Sequence, residues 1–331
     1  MIGASVAVIG SGLSGIACAR QLTRAGLQAQ VFEYQRAAGG RLATRRFEVA
    51  AFDHGAQYIT VTEPGFRQIM EDARAAGVVG RWQPRWSRGD QQGDLWVGTR
   101  SMSSLPRWLA QDLDIVYGAR IIRLERDRGG WILLDDRGSA YVDFDVVVLA
   151  LPAPAAAILA APHTALADRM RAIPVAPCWA AMIAFDRPID GVPDADFSDD
   201  PVLPWFARDG SKPGREMPHA WVLHAGADWS RTEFRQPAAL VLQALVERFS
   251  ERIGRTLPPV VLSDCHRWRH ARVERPLGEP FLWDRAAGIG FCGDWCLDAR
   301  AEAAWMSGDS LGSALSEARL STSSGKMRGS R

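Results

Sequence analysis

Residues 5–22 read SVAVIGSGLSGIACARQL. The first five residues are apolar except for Ser5 and predict a short buried strand, and Ser11–Arg24 predicts a helix. Between them, Gly10, Gly12 and Gly15 form the pattern G-x-G-x-x-G. Such glycines allow a tight turn, a close approach of the backbone to a pyrophosphate, and close packing of the helix on the strand. The stretch therefore predicts a Rossmann-type dinucleotide-binding fold.

The next segment indicates which dinucleotide is bound. A second strand, Gln28–Glu33, ends in a carboxylate that can accept hydrogen bonds from the hydroxyls of an adenosine ribose. After five intervening residues, Gly39, Gly40 and Arg41 form a second glycine turn with a cation. An FAD needs such an element, because its pyrophosphate and ribityl chain continue past the first turn and an arginine can lie beside them.

A third signal comes from GIGFCGDWC at 288–296. A strand of small residues ends at Gly293 and Asp294, ahead of a helix predicted over about 299–320. The aspartate can bind ribityl hydroxyls, and a helix that starts near Ala301–Ala304 directs its positive end at the pyrimidine side of a flavin. The three signals together predict FAD, held as a permanent cofactor. Cys296 next to this motif is expected to be a buried thiol, although a covalent thioether is conceivable.

Composition limits the function classes. The chain has 331 residues, 47% hydrophobic and 23% charged, with 39 basic against 38 acidic side chains. This balance predicts no attraction to nucleic acid, and no apolar run approaches the ~20 residues that span a bilayer. The five cysteines form neither a disulfide framework nor a metal-ligand set, so we expect free thiols, no metal and a cytoplasmic protein. The 13 tryptophans fit a core and also a pocket for a flat aromatic ligand.

The strand and helix patterns are interleaved along the chain. We predict an α/β protein (α+β, with two domains) in which a discontinuous FAD-binding domain comprises 1–62, 98–160 and 264–320. A substrate domain with a mixed or antiparallel sheet comprises 63–97 and 161–263, and 321–331 is predicted to be a disordered tail.

Nine segments together resemble the renalase family, in particular its bacterial members. They are GSGLSGIACARQL (10–22), the E-x5-GGR segment from Glu33, FDHGAQYIT (52–60), WVGTRSMSSL (96–105), LALPAPAA (149–156), SKPGRE (211–216), AWVLHA (220–225), HRWRHARV (266–273) and CGDWC (292–296). The resemblance covers nearly the whole chain. It implies a two-domain, p-hydroxybenzoate-hydroxylase-like flavoprotein with noncovalent FAD. It also implies oxidation of 2-dihydro or 6-dihydro isomers of NAD(P)H to NAD(P)+, with O2 reduced to H2O2.

The motifs and the resemblance give a set of expected site residues. Those expected to carry or support the chemistry are His224, Tyr58, Gln57, Trp283 and His270. Those expected to bind the cofactor are Gly10, Gly12, Ser14, Gly15, Glu33, Tyr34, Gly40, Arg41, His54, Gly55, Ala56, Gln57, Ile121, Ala150, Gly293, Asp294, Ala303 and Ala304. His224 is expected to orient a carboxamide or exclude water rather than to move a proton.

Several alternatives stay open at this point. Trp205, Arg208, Lys212 and Arg215 could steer the phosphates of a dinucleotide, and one face of the HRWRH strand could reach the phosphates or the flavin. The chain could also be a flavin amine oxidase for small amines or polyamines, or a flavin protein that binds or signals without turnover. The oligomeric state does not follow from the sequence.

Overall fold

The computed structural model describes residues 5–87 and 93–327, with side chains as far as Ala318. The chain divides into two compact units. Unit 1 comprises Met1–Gly40, Leu109–Pro174 and Val273–Arg331, and unit 2 comprises Arg41–Trp108 and Val175–Arg272.

In chain order, the strands are β1 (Ser5–Ile9), β2 (Gln28–Glu33), β3 (Arg45–Arg46), β4 (Ala51–Phe52), β5 (Val79–Trp82), β6 (Leu95–Gly98), β7 (Asp114–Tyr117), β8 (Ile121–Arg126), β9 (Trp131–Asp135), β10 (Ala140–Phe144), β11 (Val146–Leu149), β12 (Val175–Phe185), β13 (Ala195–Phe197), β14 (Trp205–Arg208), β15 (Ala220–His224), β16 (Val260–Val273), β17 (Leu282–Asp284) and β18 (Ile289–Phe291). The α-helices are α1 (Leu13–Arg24), α2 (Pro64–Ala75), α3 (Ser104–Leu109), α4 (Ala153–Ala160), α5 (Leu166–Arg171), α6 (Ala227–Thr232), α7 (Ala238–Ile253) and α8 (Ala301–Met327).

Unit 1 contains a six-stranded sheet in the order β17-β18-β11-β1-β2-β7. All neighbouring pairs are parallel except β17 and β18, which are antiparallel. Its apolar strands bury Val8, Val31 and Val148 against Leu22 of α1 and Leu311 of α8. Strands buried on both faces read as continuous apolar runs, which is why SVAVI and VVVL were recognisable in the sequence. The predicted Rossmann-type α/β fold is confirmed.

Helices α1 and α8 pack closely, with two glycines of α8 against the backbone of α1. A Cβ atom on Gly308 of α8 would lie 1.9 Å from the carbonyl oxygen of Ser14, in the first turn of α1. One turn further along, a Cβ atom on Gly312 would lie 2.9 Å from the carbonyl oxygen of Cys18. Two glycines spaced by four therefore set the separation of the two helices, and with it the position of the glycine turn that begins α1.

Unit 2 contains a five-stranded sheet in the order β13-β14-β15-β12-β16. On one face, Ile183 and Trp221 pack with Phe249 of α7 in a core that also holds Phe206. On the other face, Met182 and Val222 pack with Phe52 of β4. The sheet is thus covered on both sides within its own unit, as the alternation of side chains along paired strands requires.

The boundaries of the two compact units differ from those of the predicted domains. Residues 41–62, 98–108 and 264–272 lie in unit 2, and residues 161–174 lie in unit 1. Strand β16 runs as one piece from Val260 to Val273 beside β12, which places 264–272 with the sheet of unit 2. Helix α5 packs with α4, which places 161–174 with unit 1. The assignment of one half to the cofactor and the other to the substrate stays a prediction.

The end of the chain differs from the expected disordered tail. Helix α8 continues to Met327, so residues 321–327 are helical, and 328–331 lie outside the described residues. Extending a helix that is already nucleated fixes one residue per added hydrogen bond, so a polar serine-rich segment can continue it. Within the described residues, no helix has the length and apolar character to cross a membrane.

Candidate functional site

The first glycine turn in unit 1 is fixed by contacts that exclude larger residues. Gly10 has a positive φ of 105°, and a Cβ atom there would lie 2.6 Å from the carbonyl oxygen of Ala150. A Cβ atom on Gly15 would lie 1.9 Å from the carbonyl oxygen of Gly10. By contrast, the Cβ direction of Gly12 has no atom within 4 Å. The turn is therefore closed on the side of the sheet and open at Gly12.

The second glycine turn approaches the first. Gly39 donates its N–H to the carbonyl of Ser11 (3.0 Å), and a Cβ atom on Gly40 would lie 3.3 Å from the Cα of Gly12. The two glycine turns that the sequence predicted as parts of one site are thus brought together within unit 1. Ser14 lies in the first turn of α1, which has no acidic residue. This helix start leaves backbone N–H groups available to an anion.

Glu33 is buried at the end of β2, 4% exposed. Its Oε2 accepts hydrogen bonds from the N–H (2.9 Å) and hydroxyl (2.6 Å) of Ser11, and its Oε1 accepts one from the N–H of Gln35. The carboxylate therefore ties the glycine turn to β2 and keeps lone pairs for a further donor. The N–H of Ala119, two residues before Ile121, donates to the carbonyl of Glu33. Tyr34, which the sequence also predicted to bind the cofactor, is 60% exposed.

The segment around Gly293 is held by unit 1 itself. Gly293 donates its N–H to the Ser307 hydroxyl of α8 (3.0 Å), and a Cβ atom on Gly293 would lie 2.5 Å from the indole nitrogen of Trp295. Asp294 is buried at the start of a 3₁₀ turn, ahead of α8, on which Ala303 is also buried. Burial raises the pKa of Cys296 well above the ordinary value, so that its thiol is protonated and unreactive at neutral pH.

In unit 2, three histidines and a tryptophan gather around one carbonyl group. The carbonyl of His54 accepts hydrogen bonds from Nε1 of Trp268 (2.9 Å) and Nε2 of His224 (3.2 Å). The His54 ring stacks on Trp268 at 4.9 Å and meets the edge of His266 at 4.8 Å. Burial lowers the pKa of His54 to about 3 and that of His224 to about 4. Both imidazoles are therefore neutral at physiological pH.

A buried ion cluster lies in the same unit. Lys212 contacts Asp209 (Nζ to Oδ1, 2.6 Å) and Asp53 (Nζ to Oδ2, 3.4 Å), and Arg215 also pairs with Asp53. Burial would raise the pKa of Asp53, but the Lys212 and Arg215 cations hold it below its usual value. Gln57 accepts from Lys212 (3.2 Å) through Oε1 and donates through Nε2 to the carbonyls of Asp53 and Gly55.

This cluster corrects one expectation. Lys212 and Arg215 do not point to solvent to steer phosphates, because each neutralises buried carboxylates, and Arg208 pairs with Asp194. Residues 53 and 209–215 are too far apart in the sequence for spacing to reveal the contact, so sequence reasoning missed it.

An aromatic cluster surrounds Tyr58. Ring centroids lie 6.4 Å from Tyr58 to Trp82 and 6.0 Å from Tyr58 to Trp205. Trp86 and Phe197 complete it, with Phe197 4.2 Å from Trp205 and 49% exposed. The indole N–H of Trp205 is buried and has no hydrogen-bond partner among the described residues. The tryptophan surplus was the only sequence signal for this cluster.

The predicted catalytic residues lie in four places. His224 and Tyr58 both lie next to Trp205. Trp205 is the register partner of His224 on β14, and its ring lies beside the ring of Tyr58. Gln57 belongs to the ion cluster, and His270 lines a separate cleft of unit 2. Trp283 lies in unit 1 on β17, under the guanidinium of Arg285.

The residues predicted to bind the cofactor lie in both units. Within unit 2, the carbonyl of Arg41 accepts the N–H of Ala56 (2.9 Å), and a Cβ atom on Gly55 would lie 2.0 Å from that same carbonyl oxygen. The Arg41 side chain donates to the carbonyl of Ala271 on β16. His54, Gly55, Ala56 and Gln57 are therefore held against Arg41 and β16, while the glycine-turn residues and Ala304 lie in unit 1. Their contact with a cofactor stays a prediction.

Two family models match the chain. Residues 8–73 match an NAD(P)-binding Rossmann-like domain, and residues 75–310 match the flavin containing amine oxidoreductase family. The chain belongs to the flavin containing amine oxidoreductase family. It is an FAD-dependent oxidoreductase, which confirms the predicted cofactor.

Curated relatives match over parts of their length. The chain is 29% identical over 225 residues to the tRNA 5-methylaminomethyl-2-thiouridine biosynthesis bifunctional protein MnmC of Magnetococcus marinus, covering 52% of this chain and 33% of that protein. It is 37% identical over 70 residues to protoporphyrinogen oxidase 2 of Arabidopsis thaliana, covering 21% and 14%. The chain thus spans a third or less of these relatives.

Solved structures share the fold over nearly the full chain. A putative protoporphyrinogen oxidase from Exiguobacterium sp. 255-15 superposes with a TM-score of 0.74 at 14% identity, covering 96% of this chain and 99% of that one. A putrescine oxidase bound to putrescine superposes with a TM-score of 0.70 at 13% identity, covering 96% and 99%. These likenesses show the two-domain flavoprotein fold.

The residues of unit 1 fit FAD. The open Cβ direction of Gly12, next to the start of α1, leaves room for a pyrophosphate, while Gly10, Gly15 and Gly40 are packed against backbone. The buried Glu33 carboxylate accepts hydrogen bonds from Ser11 and Gln35 and can also accept ribose hydroxyls. These residues would hold the adenosine and diphosphate part of the cofactor.

Replacing Glu33 tests that role. We expect Glu33→Ala to weaken FAD retention, because it removes ribose hydrogen bonds to a charged acceptor and releases Ser11 from β2. The loss is about 2–4 kcal/mol, or roughly 30- to 1,000-fold in Kd. FAD retained after dialysis measures the effect, and Gln30→Ala on the same strand is the matched control. Full flavin occupancy in Glu33→Ala would contradict the role.

Proposed function

We propose that the protein is a renalase-like oxidase that takes a hydride from 2-dihydro or 6-dihydro isomers of NAD(P)H. The products are NAD(P)+ and, after transfer of the two electrons and two protons to O2, H2O2. Bound FAD would supply the chemistry by accepting the hydride and passing the electrons to oxygen. The protein's own task is then to select, orient and stabilise the donor ring.

The observation that carries this proposal is the pair formed by His224 and Trp205. The two residues are opposite each other in the register of β15 and β14, so that their side chains share a face of the sheet. Because Nε2 of His224 donates to the carbonyl of His54, Nδ1 of the neutral ring is an acceptor. The buried N–H of Trp205 is a donor with no partner among the described residues.

A donor and an acceptor on paired residues would suit a primary carboxamide. The carboxamide oxygen of a nicotinamide can accept from Trp205, and its NH2 group can donate to His224. A buried donor without a partner is costly, so a ligand that satisfies it gains affinity and orientation. The aromatic cluster around Tyr58 offers ring faces to the flat donor, and these faces favour the cationic ring that forms as the hydride leaves.

Oxidation of an amine is the second candidate. The family as a whole and the aromatic cluster favour it, since aromatic rings also bind ammonium groups. An ammonium would gain from an unpaired carboxylate near these rings. In the described part of unit 2, the buried carboxylates Asp53, Asp194 and Asp209 are each paired with a lysine or arginine. The charge distribution therefore favours a neutral donor ring.

Anaerobic mixing with candidate donors tests the proposal. We expect a 2-dihydro or 6-dihydro isomer to bleach the flavin in one fast phase, ordinary NADH to do so at least ~100-fold more slowly, and putrescine or benzylamine not to do so at all. A pocket that presents C2 or C6 holds C4 away from the flavin, and a ~1 Å displacement costs about 10²-fold in rate. Oxygen should then restore the absorbance and give one peroxide per NAD(P)+.

A pair of variants serves as the internal control. Trp205→Phe keeps a ring and removes the N–H, so the Kd for the isomer should rise about ten-fold. Trp86→Phe replaces a large ring of the same cluster by a smaller one and keeps the N–H of Trp205. The Kd of this variant for the isomer should stay within a factor of about 3 of the wild-type value. Comparable rates with NADH, or fast reduction by an amine, would overturn the assignment. No reduction by any donor would favour a flavin protein without turnover.

A further inference from the structure

An open cleft of about 580 Å³ lies beside the edge strand of the five-stranded sheet of unit 2. Its walls come from the start of β12, from the segment that follows α6, and from β16, the edge strand. The volume is within the roughly 300–1,000 Å³ of small-molecule sites. The cleft is therefore large enough for a ligand of nucleotide size.

The arginines of β16 at this cleft lie on the face of the sheet that packs against α7. Side chains alternate between the faces of a strand, so Arg267 and Arg269 share one face of β16. The guanidinium of Arg267 lies 5.3 Å from the ring centre of Trp179, which belongs to the core on the α7 side. Leu223 belongs to the same core, so His224, the next residue of β15, points to the other face. The arginines and the proposed donor site are thus on opposite faces of the sheet.

The cleft is cationic. Of the described residues that line it, the charged side chains are Arg231, Arg235 and Arg269. Arg231 pairs with the exposed Asp228. Arg235 and Arg269 form no ion pair with a carboxylate in the part of the chain that the structure describes, whereas Arg252 of α7 pairs with an aspartate. Two guanidinium groups of the cleft therefore lack a counter-charge.

The segment that follows α6 is anchored to the sheet. The indole N–H of Trp179 donates to the carbonyl of Glu233 (3.2 Å), and Arg267 donates to the carbonyl of Phe234. The guanidinium groups of Arg267 and Arg269 lie 4.8 Å and 5.4 Å from the centre of the Phe234 ring. Contacts of this kind restrict the segment and the long side chains before a ligand arrives and so reduce the entropy lost on binding.

His270 also lines the cleft. Burial, followed by the neighbouring cations Arg269 and Arg41, lowers the pKa of this histidine. Its imidazole is therefore neutral at physiological pH and offers hydrogen bonds without charge. The positive charge of the cleft comes from the arginines alone.

We propose that this cleft is a second ligand site, which binds a phosphate-bearing molecule of nucleotide size through Arg235 and Arg269. Guanidinium groups bind phosphate oxygens through paired, charge-assisted hydrogen bonds. A phosphate ligand supplies the counter-charge that the described carboxylates do not supply. This ligand is a separate molecule from the electron donor, because the two arginines of β16 and His224 lie on opposite faces of the sheet.

Calorimetric titration of the FAD-loaded enzyme tests the site without turnover. The probes are ADP, inorganic pyrophosphate, adenosine and succinate. We expect ADP to bind at least ~10-fold more tightly than adenosine or succinate and to bind more weakly as salt is added. Pyrophosphate that binds as tightly as ADP would assign the site to phosphate groups alone, and weaker pyrophosphate binding would assign it to a nucleotide. Both results support phosphate recognition in the cleft.

Two double variants locate the bound ADP. Arg235→Met/Arg269→Met should lose at least ~10-fold in ADP affinity and keep the flavin absorbance of the wild type. Arg107→Met/Arg255→Met removes the same charge from exposed positions of unit 2 outside the cleft and should bind ADP as the wild type does. With whichever donor reduces the flavin, ADP should leave the KM of that donor unchanged. Absent ADP binding, equal binding of adenosine or succinate, unchanged ADP affinity in Arg235→Met/Arg269→Met, or competition between ADP and the donor would overturn the assignment of the cleft.

Discussion

Replacing Lys212 by methionine is expected to destabilise unit 2 by about 3–5 kcal/mol. The lysine is fully buried and lies between Asp53 and Asp209, so its removal leaves two buried carboxylates with Arg215 as their remaining cation. A buried charge without its partner costs far more than the pair contributes. Thermal unfolding should show a decrease in Tm on the order of 10 °C, and unit 2 should unfold before unit 1.

Two further variants identify the cause of this loss. Lys212→Met combined with Asp209→Asn removes one charge of each sign and should recover at least half of the lost stability. Arg171→Met also breaks a cation–carboxylate pair three residues apart, but its pair with Asp168 is exposed, and it should cost less than about 1 kcal/mol. If Lys212→Met were as stable as Arg171→Met, or if the second substitution gave no recovery, the cluster would not have the role assigned to it.

Gly308→Ala is expected to destabilise unit 1 by about 3 kcal/mol or more, at the upper end of overpacking effects. The added Cβ would lie 1.9 Å from the carbonyl oxygen of Ser14, so α8 must move away from α1. Ser14 lies between Gly12 and Gly15 in the glycine turn, and the displacement should therefore also weaken FAD retention. Thermal unfolding of the flavin-free protein and FAD occupancy after dialysis measure the two effects.

The matched control is the same substitution at an open position. Gly65 lies in the first turn of α2, and a Cβ atom there has nothing within 4 Å. Gly65→Ala should leave FAD binding unchanged and stabilise the protein by up to about 1 kcal/mol, since alanine reduces the entropy of the unfolded chain. A Gly308→Ala protein with wild-type stability and occupancy would show that the two helices tolerate separation.

Most of unit 1 was predictable because its signals are local. The strand β1, the glycines at 10, 12 and 15, and Glu33 follow one another within 30 residues, and each position has one dominant physical reason for its residue type. The end of α8 was not predictable, because a polar serine-rich segment carries no local stop signal and continues the helix from its nucleated part. The compact units divide the chain at other residues than the predicted domains, because strand β16 belongs to the sheet it pairs with rather than to its neighbours in sequence.

The sequence by itself determined the dinucleotide-binding fold, the FAD cofactor and the interleaving of two halves, because short-range glycine, strand and helix patterns encode these features. Only the tertiary structure decided which partners the polar side chains of unit 2 have. It paired Lys212 and Arg215 with Asp53 and set Trp205 opposite His224. Asp53 lies 159 positions from Lys212 and 162 positions from Arg215, and sheet register and burial, which no local pattern specifies, set these partners and the pairing of Trp205 with His224.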